Sequence, residues 1–150
     1  SLIMNKIISI LLIGFFCSAC NSQDYQCKQK EGNLSLSNGN YDAAFDQLKD
    51  CEDVDNVTDL TLGQLAVLYG HFGYGEFEGK KSRARKVYDL YIRSALKGNE
   101  DAISSILSMF ESGEPLISLK PQKEKSACLR ALLDSDAKYK SKQVSACLGK

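Results

Sequence analysis

The chain has 150 residues, enough for one domain and not comfortably for two. Nineteen basic and nineteen acidic side chains cancel, so no strong overall charge points to a nucleic-acid partner. The balance is uneven: residues 21–60 carry nine acids and three bases, residues 61–150 ten acids and fifteen bases, or about −6 against +5. Such an asymmetry can steer an oppositely charged partner or anionic lipid.

Met4-Asn5-Lys6 reads as the natural start, followed by an uncharged apolar run from Ile7 to Phe16. Ten such residues are too few to span a bilayer, which needs roughly 20. A single Lys, a short apolar stretch and the small pair Ser18-Ala19 make an export signal over residues 1–19. The residue that follows is Cys20, and the arrangement resembles the lipobox of bacterial lipoproteins, with Cys17 where the family prefers Leu. The resemblance implies that Cys20 is acylated and becomes the first residue of a mature domain over 20–150. Asn21 in the second position implies an outer-membrane lipoprotein facing the periplasm; with an ordinary signal peptide and no acylation the domain would be periplasmic. Four cysteines then remain, Cys27, Cys51, Cys128 and Cys147, and in a small exported domain they read as two disulfides. None of these four has CxxC spacing, which argues against a zinc site or a thioredoxin-like redox centre.

Along the mature chain the punctuation comes from Asn38-Gly39-Asn40, Gly73 to Gly79, Gly98-Asn99 and a stretch holding both prolines, Pro115 and Pro121. Between these marks the apolar residues keep a helical period. Tyr41, Ala44, Phe45 and Leu48 recur at i, i+3, i+4 and i+7, as do Leu62, Leu65, Ala66 and Tyr69. Val87, Leu90, Tyr91, Ser94 and Ala95 form a third stripe. Ala102, Ile103, Ile106, Leu107 and Phe110 form a fourth. No segment sustains a period of two, so the fold class is all-α.

The segment Leu65 to Tyr69 with Gly73 repeats as Ile106 to Phe110 with Gly113, the apolar positions offset by 41 residues. Lys86-Val87, Leu90-Tyr91, Arg93-Ser94-Ala95, Gly98-Asn99 and Ala102 stand at the spacing of the Sel-one-like repeat, a relative of the tetratricopeptide repeat. Thr61 to Gly113 resembles that family, with Val87 for Ala, Leu90 for Trp and one extra residue before Gly73 as departures. Gly39 to Ala44 resembles a preceding, degenerate unit. The resemblance implies a short α-solenoid of stacked helical hairpins, here spanning roughly 24–51, 59–97 and 101–134, with a last helix near 138–148.

Paired positions in an antiparallel hairpin share a nearly constant sum of residue numbers. A turn at Asn38-Gly39 gives about 77 and Cys27 with Cys51 gives 78. A turn around Asp136-Lys138 gives about 274 and Cys128 with Cys147 gives 275. Each bond therefore ties the two helices of one terminal hairpin.

Sites for chemistry are sparse. His71 is the only histidine, beside a Gly-rich turn and without a sequence-local partner. Ser94 to Lys97 and Ser135 to Lys138 both match SxxK, but KTG and SDN are absent and Ser94 falls on a small-residue packing position. Asp50, Glu52, Asp53, Asp55 and Asp59 form an acidic loop; Val57 and Thr58 stand where a calcium loop needs a ligand and a Gly. Lys80, Lys81, Arg83, Arg85 and Lys86 make a basic run at a helix start. Most of Tyr69, Phe72, Tyr74, Phe77, Tyr88 and Tyr91 read as core, with Tyr74 and Phe77 the expected exposed anchors for a partner.

No catalytic residue, metal or cofactor is therefore expected. The repeat resemblance implies protein–protein interaction, since exported members act as adaptors, assembly factors or immunity proteins. Small lipoprotein members neutralise antibacterial phospholipase toxins, which is the specific expectation here. The alternatives are an envelope adaptor or, as an enzyme, the weak β-lactam hydrolysis credited to cysteine-rich relatives. The membrane is expected to be touched only through the lipid.

Overall fold

A computed structural model describes residues 26–136 and 140–150. The export segment, Cys17, the lipidation candidate Cys20 and the expected start of the last helix at 138 lie outside these residues. Among the described residues the protein is entirely helical. Helices α1 (Gln29–Ser37) and α2 (Tyr41–Leu48) form a first hairpin, and α3 (Asp59–Gly70) and α4 (Lys80–Leu96) a second. Helices α5 (Glu100–Ser112) and α6 (Lys123–Leu133) follow, linked through a 3-10 turn at Pro115–Ile117, and α7 (Lys140–Leu148) packs on α6 and α4. No helix among them is long and apolar enough to cross a membrane.

Helix starts are set by side chains that satisfy free backbone donors. Asn40 accepts from the Ala43 amide at 3.4 Å, Thr58 from Thr61 at 3.1 Å and Asn99 from Ala102 at 2.9 Å. Helix α4 ends at Leu96, and the chain leaves it through Gly98, whose φ of 93° is open to a residue without Cβ. Gly32 answers a different need. A Cβ there would lie 2.4 Å from Leu48 Cγ, so α1 and α2 approach as closely as they do only because it is absent.

Two apolar clusters fill the interior. Ala44, Leu48, Leu62, Leu65, Leu68 and Leu90 are fully buried in the first, and Ile103, Ile106, Phe110, Leu129 and Val144 in the second. Tyr91 and Met109 pack against both clusters, so α4 and α5 join them into one core. The stripes Leu62–Tyr69 and Ala102–Phe110 are buried at every expected position. The α2 stripe is corrected at Tyr41, the first residue of its helix, which lies exposed.

Both disulfides have the hairpin pairing. Cys27 and Cys51 close the first hairpin with Cα atoms 4.7 Å apart, and Cys128 and Cys147 join α6 to α7 at 5.5 Å. A salt-bridged knot holds the second hairpin to the first: Glu52 Oε1 accepts from Lys86 at 2.6 Å and from Arg93 at 3.3 Å. The Arg93 fork also donates to the Glu52 carbonyl at 2.7 Å.

Candidate functional site

The catalytic readings meet structural explanations first. Ser94 is completely buried and its hydroxyl donates to the Asp59 carbonyl at 2.6 Å, tying the two ends of the α3–α4 hairpin. Lys97 is exposed at the C-cap. An Oγ committed to a carbonyl in the interior has no face open to a substrate. His71 is exposed and sets its ring edge-on to Phe72, centroids 4.8 Å apart. In the acidic loop, Glu52 is taken up by Lys86 and Arg93. Among the described residues no three His, Cys, Asp or Glu side chains gather as they would to hold a metal ion.

The loop between α3 and α4 departs from expectation. Gly73 and Gly75, with φ of 74° and 79°, fold it back on the core. Tyr74 stacks on Phe45 at 5.0 Å and donates its hydroxyl to Asp42; Phe77 meets Tyr69 edge-on at 5.4 Å. Both rings are half-buried, which corrects their expected exposure. Among the described residues the exposed Tyr and Phe rings are instead Tyr41 and Phe72, each 37% exposed and stacked at 4.0 Å.

Arg83 holds this loop. It leaves the basic run and turns inward, donating to the carbonyls of Tyr69 (2.8 Å), Tyr74 (2.5 Å) and Gly75 (3.0 Å) while lying over the Phe77 ring at 4.7 Å. Lys80, Lys81 and Arg85 remain exposed. We expect Arg83→Ala to lower stability by about 1–3 kcal/mol, because three half-buried carbonyls lose a charged donor. Arg83→Lys should rescue little of it, since one ammonium cannot reproduce the planar fork. Urea midpoints of the three proteins check this.

A cleft that draws on all three hairpins lies between α1, α3 and α5. It encloses about 200 Å³ and is lined by Leu36 of α1, by Leu60, Gln64 and Val67 of α3, and by Tyr91 and Ala102 among others. Leu60, Gln64 and Val67 stand at i, i+4 and i+7 on one face of α3, turned away from the core stripe. Leu60 is 44% exposed, unusual for an apolar residue on a helix otherwise packed on several sides. Burial raises the Tyr91 phenol above its ordinary value, against a hydrogen bond with Ser105 that lowers it. It therefore stays neutral at the cleft wall.

Two buried carboxamide oxygens along this seam, Asn33 Oδ1 and Gln64 Oε1, have no partner among the described residues. Such an oxygen needs a donor from water or from a ligand. Asp101 is the only charged residue of the lining. The arrangement can grip an apolar side chain and accept a hydrogen bond; it holds no paired acid and base. Sequence reasoning did not single out Leu36, Leu60 or Gln64. The signal available was the second apolar stripe on α3, where a helix of one hairpin should show one.

The chain matches no family model, no curated protein and no solved structure in comparisons with each.

Proposed function

We propose that this chain is an exported envelope lipoprotein that binds another protein by surface complementarity and performs no chemistry of its own. The α1–α3–α5 cleft carries the reading: apolar side chains are left partly open on a helix that is otherwise core, beside a carboxamide oxygen awaiting a donor. Helical hairpins in series, the second and third starting from helices capped by Thr58 and Asn99, fit the Sel-one-like solenoid that the motifs between Thr61 and Gly113 resemble. Such a stack offers an extended surface suited to a polypeptide partner. Anchoring through Cys20 would hold it at the periplasmic face.

The specific form we favour is an immunity protein that covers the active site of a secreted antibacterial phospholipase. Occlusion alone neutralises such a toxin, which suits a surface without a nucleophile paired to a base. The test compares wild type with Leu60→Glu for capture of a partner from envelope extract. Burying a carboxylate in the cleft should weaken binding by at least about tenfold, with helix content by circular dichroism unchanged. Equal capture by both proteins would remove the cleft as the binding surface. Turnover of a β-lactam or an ester at enzyme-like rates would overturn the binder reading.

A further inference from the structure

The two disulfides sit in opposite chemical surroundings. Cys51 is completely buried, with Cys27 half-buried beside it, whereas Cys128 is exposed and Cys147 half-buried. The charges differ as well. Residues 27–55 carry seven acids against three bases, with Lys86 and Arg93 paired to Glu52 from outside. Residues 123–150 carry seven bases against three acids, with Glu111 and Glu100 paired to Arg130 and Lys140 from outside. Each side so keeps a smaller excess of the same sign. A thiol attacks a disulfide only as its thiolate, so access to a sulfur and the sign of the local field both set the rate. Acidic surroundings repel the incoming anion at Cys27–Cys51. Basic surroundings attract it at Cys128–Cys147 and stabilise the thiolate that leaves.

We propose that Cys128–Cys147 is a site of thiol–disulfide exchange with an external dithiol, and that its opening releases α7 from the end of the helical stack. The thiolate of the dithiol attacks Sγ of Cys128, the more exposed residue of the pair, and Cys147 leaves as a thiolate. The second thiol of the dithiol, deprotonated, then attacks the mixed disulfide and expels Cys128. The dithiol ends as a disulfide, and its two electrons reside on the two cysteines, which take up protons.

Helix α7 depends on that bond. It is nine residues long, too short to persist alone, and its buried residues are Val144 and Leu148. Among the described residues its other ties include its packing on α6 and α4 and a Lys140–Glu100 ion pair. Opening the bond therefore frees a short helix and uncovers the apolar surface around Leu129 and Leu132 on which it rests. This inference does not depend on what the α1–α3–α5 cleft binds.

The test is limited reduction of the full chain by dithiothreitol, quenched with iodoacetamide at intervals and mapped by peptide mass. Cys128 and Cys147 should be alkylated about tenfold faster than Cys27 and Cys51 at low salt. In 1 M salt, with screening over about 3 Å, the ratio should fall toward the part set by burial alone and stay above one. Hydrogen exchange on the singly reduced protein should show α7 amides losing protection while α3 to α5 keep theirs. Cys128→Ala/Cys147→Ala should show the same exchange pattern without reductant. Equal reduction of both bonds, or earlier loss of Cys27–Cys51, would overturn the assignment of the exchange site. Unchanged α7 protection after selective reduction would overturn the release.

Discussion

Replacing Phe110 by Ala is expected to lower stability by about 3–5 kcal/mol, among the largest effects of any single substitution in this chain. The ring is 1% exposed and sits in the second apolar cluster with Ile103, Ile106, Leu129 and Val144, where α5, α6 and α7 converge. Truncation removes its buried surface and leaves a cavity that three helices, pinned by a disulfide and by the bond from the Gln122 amide to the Phe110 carbonyl, cannot close fully. At about 2–4 °C per kcal/mol for a chain of this size, the melting midpoint should fall by roughly 10 °C. A urea titration should show a lower midpoint with an unchanged slope, the mark of lost stability without a change in the surface exposed. Phe72→Ala, at an exposed ring, supplies the contrast and should cost less than about 1 kcal/mol. Comparable losses for the two variants would mean that Phe110 is not at the core.

What could be read from the sequence was what depends on near neighbours. The stripes from Leu62 to Tyr69 and from Ala102 to Phe110 are buried as their period dictates, because each helix faces the core along one side. The disulfide pairing was equally legible, since a short turn fixes which residues of a hairpin stand opposite. Tyr74 and Phe77 were misplaced because loop residues have no period to follow. Their burial comes from two positive-φ glycines and from Arg83, which reaches back to carbonyls eight to fourteen residues earlier. Arg83 itself was hidden among four other cations whose side chains do not share its role. The cleft was the least legible part. It exists only where Leu36, Leu60 and Ala102, from three different hairpins, come together, and no local pattern carries that distance.

The first hairpin should be the part most dependent on a single covalent bond. Cys27→Ala/Cys51→Ala is expected to cost about 3 kcal/mol, the loop-closure contribution for a bridge spanning 24 residues. The reason for a loss of that size lies in α1. Among its nine residues only Gly32 is fully buried, and Leu34 is largely exposed, so the helix contributes little apolar surface of its own. Its polar ties are few: the Lys28 amide to the Gln47 carbonyl at 3.0 Å, Gln29 to the backbone of Asn56 and Thr58, Asn33 to Thr61, and the Ser35 hydroxyl to the Gln47 carboxamide at 2.8 Å. A helix this short is marginal without tertiary support. Removing the bond should therefore unravel α1 ahead of the rest and leave Leu48 uncovered where Gly32 now rests on it. Hydrogen exchange should register this as protection lost across Gln29–Ser37 while α4 and α5 keep theirs, together with a melting midpoint lower by roughly 10 °C. The double alanine variant avoids placing a polar hydroxyl at the buried Cys51 position, so the change reads the cross-link and little else. If α1 keeps its protection in that variant, the side-chain hydrogen bonds of Gln29, Asn33 and Ser35 hold the helix, and the disulfide is a safeguard against a reaction that the folded hairpin already resists.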